Sequence, residues 1–139
     1  MYNEIGLLLN AFLLGTMISF MVITSPTVFK TLDGEHSKRF LRVIFPRLFN
    51  FCFVISVFLC LFFLIGGFLY GTFVGIFIGI SFLINTYILT PLINKMRDSS
   101  ILGNKTSEKS FKLLHLVSVL LYLLNLLFSA SVLIFYYLN

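Results

Sequence analysis

The sequence predicts an all-α integral membrane protein, a bundle of four spanning helices with both termini outside and two basic loops in the cytoplasm. Three observations carry this reading. Hydrophobic residues make up 59% of the 139 positions and the mean hydropathy is +1.05. Charged residues are 11%, where a soluble domain has about 25%. The Lys and Arg residues are confined to two clusters, Lys30 to Arg47 and Lys95 to Lys112, which separate uncharged stretches at Ile5–Phe29, Leu48–Asn94 and Leu113–Asn139. Such a composition excludes a soluble globular domain, a disordered chain and a disulfide-rich secreted module.

The first span is expected near 5–28. Met1 to Thr24 has no basic leader and no small-x-small site after its apolar run, so it reads as a retained span rather than a signal peptide. Its inward face is expected to carry Asn10, Met17, Met21 and Thr24. Next comes an amphipathic stretch near 35–46, with Phe40, Leu41, Ile44 and Phe45 set against Lys38, Arg39 and Arg42. It is expected to lie at the interface and to bend into the second span at Pro46, because proline removes a donor and crowds the preceding turn.

The second span is expected near 46–66, with Phe45, Phe49, Cys52 and Ser56 facing inward. Cys52 and Cys60 would stand roughly 12 Å apart on a helix, beyond disulfide reach, and read as buried thiols. As one helix, Leu48–Asn94 would be roughly 70 Å long, more than twice a ~30 Å hydrocarbon core. It must therefore fold into a hairpin, punctuated by Gly66, Gly67 and Gly71 with Tyr70 as an interfacial anchor.

The third span, near 71–93, carries Gly67, Gly71, Gly75 and Gly79 at four-residue intervals. This small-residue ridge allows close backbone approach, either to a helix of the same chain or to a second copy in a homodimer. The inward polar residues of this span are Ser81 and Asn85. The fourth span, near 112–137, has a polar seam of His115, Ser118, Tyr122, Asn125 and Ser129 within an arc of about 80°. Polar groups in hydrocarbon need partners, so the seam is expected to face inward.

Both basic clusters fall on one side of the four crossings, which the positive-inside rule makes cytoplasmic. The net charge of +5 is read as this topology signal and as attraction to anionic headgroups, worth about 1 kcal/mol per basic residue near the surface, not as a nucleic-acid surface. With this orientation Met21, Thr24, Cys52, Asn85, His115 and Ser118 converge in the cytoplasmic half, the one site-like feature of the chain.

Several of these residues fall into a recognisable order: Ser25-Pro26-Thr27-Val28-Phe29-Lys30, then Phe45-Pro46-Arg47, Asn85 followed by Pro91, and Phe111-Lys112-Leu113-Leu114-His115 with Ser118 and Asn125 after it. The chain resembles the bacterial branch of the family similar to transmembrane protein 205, small four-helix membrane proteins long classed as a domain of unknown function. The resemblance implies a cell membrane protein, in bacteria of the inner membrane, in a family whose eukaryotic members are associated with drug and metal-complex tolerance. It marks Pro26, Phe29, Phe45, Pro46, Pro91, Phe111 and Asn125 as motif positions. His36-Ser37-Lys38 departs from the family pattern, so His36 is not carried over.

Three functions compete. A non-catalytic binding or transport-related role for a small solute or soft metal would use Met17, Met21, Cys52 and Cys60 as soft donors and Asn85 and His115 as polar ones. A haem-associated redox protein would need axial ligands from His115 with His36, Met17 or Met21. A structural or assembly subunit would use the glycine ridge. The sequence contains no HExxH or GxSxG motif; it names no cofactor or metal, and leans away from an enzyme.

Overall fold

The computed structural model describes residues 1–138. Four helices make up nearly all of them: α1 Tyr2–Thr31, α2 Gly34–Ile65, α3 Leu69–Ile101 and α4 Lys105–Leu138. All four are long and apolar enough to cross a membrane, and no strand occurs among the described residues. Both basic clusters lie at one end of the bundle, here termed the basic end.

Each connection has a local chemical cause. The Asp33 carboxylate accepts the backbone N–H groups of Glu35 and His36 and starts α2; the Asn104 side-chain oxygen does the same for Thr106 and Ser107 at α4. Such caps satisfy donors that the first helical turn leaves open. At the other end, α2 closes in a Schellman turn. Phe68 N–H bonds the Phe63 carbonyl and Gly67 N–H bonds the Leu64 carbonyl. Gly67 takes φ +75°, a conformation that favours glycine. The Phe63 and Phe68 rings pack edge to face at 5.2 Å, which is the apolar contact this turn usually brings.

The stretch near 35–46 and the second span form one helix. α2 runs without interruption from Gly34 through Pro46 to Ile65. Before the other two prolines the helix widens. A π turn spans Phe20–Thr24 before Pro26, and another spans Asn85–Leu89 before Pro91. A proline ring crowds the carbonyl four residues earlier, and the wider turn moves that carbonyl aside while keeping the backbone hydrogen-bonded, as hydrocarbon demands. Thr90 closes the second π turn by donating both its N–H and its hydroxyl to the Asn85 carbonyl. Ser25-Pro26 with Lys30 and Thr90-Pro91 with Lys95 stand 65 residues apart in sequence. Each lies in a helix whose successor starts on an Asx cap, so the two helix pairs share this local pattern.

The glycine ridge of α3 packs on α2 of the same chain. A Cβ at Gly75 would stand 2.5 Å from Cys60 Sγ and 2.6 Å from Leu59 Cδ1, and one at Gly79 would stand 2.8 Å from Ser56 Oγ. The face that the motif offered to a second copy is thus covered from within the chain. Leu13, Met17, Cys52, Leu59, Phe63, Ile78, Phe82 and Val132 form the buried centre, while apolar side chains such as Leu8, Phe73 and Leu127 point outward.

Polar contacts tie the helices together. Asn10 Nδ2 donates to the Ser129 carbonyl at 2.8 Å, and Ser129 Oγ donates to Asn10 Oδ1 at 2.9 Å. Tyr122 OH donates to the Met17 carbonyl at 2.9 Å, and Ser118 Oγ to Asn85 Oδ1 at 2.6 Å. Asn125 is fully buried and neither of its amide atoms has a partner; Asn85 Nδ2 and Ser81 Oγ are likewise unpaired.

Candidate functional site

At the basic end the bundle encloses a cavity of about 340 Å³ to which all four helices contribute. α1 supplies Phe20, Met21, Ser25 and Phe29, and α2 supplies Lys38, Leu41, Arg42, Phe45 and Phe49. α3 adds Thr90, Ile93, Asn94 and Arg97; Phe111, His115, Ser118, Val119, Tyr122 and Leu123 come from α4. Of the two π turns, the first supplies Phe20 and Met21 to the wall and the second ends one residue before Thr90. They begin at Phe20 and Asn85, where α1 and α3 pass from the packed middle of the bundle into the cavity walls.

The cavity is open on one flank. α1 and α4 are joined by Asn10–Ser129 and Met17–Tyr122, yet beyond that point no Cα of residues 20–31 comes within 8 Å of α4. Met21 and Phe29 line the cavity and are also exposed on the outer surface, Phe29 to 63%.

Its walls are apolar and its charges positive. Arg42 is held by Asp98 through both terminal nitrogens, while its Nε is buried without a partner. The Arg97 guanidinium stands 5.5 Å from the centroid of the Phe111 ring, a cation–π distance. The Phe111 and His115 rings are nearly coplanar in orientation, 8° apart with centroids at 5.9 Å. Arg97, Phe111 and His115 therefore form one stack along the α3–α4 side. The arrangement can bind a ligand with an apolar body and an acceptor-rich or anionic end. Among the described residues no hydroxyl of the lining hydrogen-bonds His115; Ser118 is held by Asn85 and Tyr122 by the Met17 carbonyl.

The residues expected to converge do so in part. Met21, His115 and Ser118 line the cavity, and Asn85 holds Ser118 from behind. His115, expected inside the seam, is exposed on the cavity side and bonds neither Asn85 nor another described polar group. Its partner Phe111 lies one turn nearer the helix start, under Arg97 of α3. Thr24 turns instead to a shallow groove with Phe20 and Leu48, because the π turn breaks the 3.6-residue register on which its face was drawn. Cys52 belongs to the central core, and Cys60 lies farther out, its thiol 3.7 Å from the Thr72 carbonyl. Met17 is fully buried. The four soft donors are thus not gathered at the cavity.

Sequence reasoning missed Lys38, Arg42 and Arg97, reading them only as a topology signal. Lys38 and Arg42 were placed opposite Leu41 and Phe45, whereas all four line the cavity. The signal was present: positions 38, 42, 45 and 49 follow the four- and three-residue steps of a single helical face.

The sequence profile of a family described as a domain of unknown function, DUF4149, matches residues 8–102. The chain belongs to the DUF4149 family. The DUF4149 match contains nearly all of α1, all of α2 and α3, and with them Lys38, Arg42 and Arg97. The α4 wall, with Phe111, His115 and Tyr122, lies beyond it. No curated protein and no solved structure matches the chain.

Proposed function

We propose that this DUF4149 protein is a non-catalytic membrane protein that binds a small molecule in the cavity at its basic end. The observation that carries the reading is the cavity itself, built from all four helices and combining aromatic walls with Arg42, Arg97 and Lys38. Ligand pockets are typically ~300–1,000 Å³ and mostly apolar with a few convergent polar groups, and this one matches that description. Met21 is the one soft donor among its lining residues, which favours an organic ligand over a soft metal ion.

The finer placement follows from the charge pattern and the motif order. The basic end is read as cytoplasmic, with the termini outside, on the positive-inside rule. The order of Pro26, Phe29, Phe45, Pro46, Pro91 and Phe111 supports kinship with the bacterial branch of the transmembrane protein 205-like family, hence an inner-membrane location; the tolerance-type role is the one associated with that family's eukaryotic members.

The test is to fill the cavity. Val119→Trp and Leu123→Trp place bulk at lining positions that make no interhelical hydrogen bond. Small molecules extracted from the purified protein would be compared by mass spectrometry. A species enriched with the unmodified chain and lost from both folded variants is expected; identical extracts from all three would refute the reading.

A further inference from the structure

The cations of the cavity are under-supplied with anions. Among the described residues no carboxylate oxygen lies within 4.0 Å of the Arg97 guanidinium or of Lys38 Nζ. Arg42 spends its terminal nitrogens on Asp98 but keeps a buried, unpartnered Nε. Lys38 is exposed and Arg97 half-buried, with Asp98 next to it in sequence but not in contact; a partly desolvated guanidinium with no carboxylate in contact favours an anionic partner. Below these charges the cavity wall is aromatic and aliphatic, and its open flank, between the inner part of α1 and α4, is edged by exposed Met21 and Phe29. A gap between two spanning helices gives sideways onto the lipid chains that surround an apolar bundle.

We propose that the occupant is a single-chain amphiphile with an anionic head, carboxylate or phosphate, that enters laterally from the lipid between α1 and α4. The inference rests on the cavity being a binding site and specifies what it binds. Arg97 and Lys38 take the head, with Arg42 Nε as an additional donor, and the chain lies against Phe20, Phe45 and Phe49. A volume of about 340 Å³ is near the lower end for ligand pockets; it accommodates a head and one chain, not the two chains of a bilayer phospholipid. A head without a chain would leave the aromatic wall uncovered, and a chain without a charge would leave Arg97 unpaired.

The experiment uses the full chain in nanodiscs of zwitterionic phosphatidylcholine and a photoreactive long-chain fatty acid. Peptide mapping should find the label on residues 20–29 and 115–123. Unlabelled dodecanoate and dodecyl phosphate should compete; dodecanol, dodecyltrimethylammonium and inorganic phosphate should not. Arg97→Gln should cut labelling about tenfold. Lys38→Gln serves as the second variant should Arg97→Gln fail to fold. Equal competition by dodecanol, or unchanged labelling in both folded variants, would overturn the anionic assignment. Competition by inorganic phosphate alone would indicate a water-borne anion, and better competition by phosphatidylglycerol than by dodecanoate a two-chain lipid; either would also overturn it. If the tryptophan variants still abolish capture of a neutral or cationic species, the binding reading stands and only this assignment falls.

Discussion

Ser118 and His115 are three positions apart on α4 yet have different work. Ser118 is the partner of Asn85, whose amide nitrogen already lacks an acceptor. Ser118→Ala would strand the carbonyl oxygen as well. Interhelical hydrogen bonds in membranes average ~0.6 kcal/mol, and an unsatisfied buried group costs about 1–3 kcal/mol. A loss within that range is expected from reversible unfolding in detergent. His115 is exposed and stacked on Phe111 alone, so His115→Ala should leave stability nearly unchanged while weakening ligand capture; a stability loss matching that of Ser118→Ala would contradict this. Outside the membrane, Asp33 gives a pH test. The His36 backbone N–H and then the His36 side chain hold its carboxyl below the ordinary value of 3.8. The lowered value means that the cap is fully present above pH 3.8 and is lost as pH falls through the lowered value. Hydrogen exchange at the Glu35 and His36 amides should therefore lose protection on acidification, and Asp33→Ala should show the unprotected rates at every pH.

At the scale of the helices, the close contact of α3 with α2 is the most exposed to insult. Gly75→Leu must displace Leu59, which is almost fully buried, as well as Cys60. Overpacking of this kind costs about 1–3 kcal/mol, and a thermal midpoint equal to that of the unmodified chain would show that the contact yields freely. Much at this scale was legible in the sequence: four spans, the glycine hairpin, and the inward faces of Asn10, Met17, Asn125 and Ser129. One miss traces to the π turn before Pro26. Thr24 was misplaced because residue spacing presumes one helical pitch, and a π turn changes the pitch without changing the composition. The cationic part of the cavity was missed for a different reason. Lys38 and Arg42 serve the charge asymmetry of the chain whatever they touch, so their count conceals which way they point.

Taken whole, the molecule carries its charge at one end, and its proposed orientation can be checked there. A Cβ at Gly34 would meet no heavy atom within 4 Å, so Gly34→Cys should be tolerated. A membrane-impermeant thiol reagent should modify it in opened cells or inverted vesicles and leave it untouched in intact cells; modification in intact cells would reverse the orientation. Cys52 is buried and Cys60 half-buried, so both are poor competitors for the reagent. The four-helix architecture was legible from hydropathy because length and charge suffice for it. The lateral opening was not, because it depends on where α1 and α4 part, and that is a property of two helices distant in sequence.

The clasp between α1 and α4 also bears on how the protein is made. Asn10 is fully buried and bonds Ser129, a residue synthesised 119 positions later. On a growing chain, α1 enters the bilayer with that amide bare, and neither α2 nor α3 offers it a partner in the finished fold. The first helix is therefore provisional until the last one arrives. A chain arrested before α4 leaves the Asn10 side chain without the partner that the finished fold gives it.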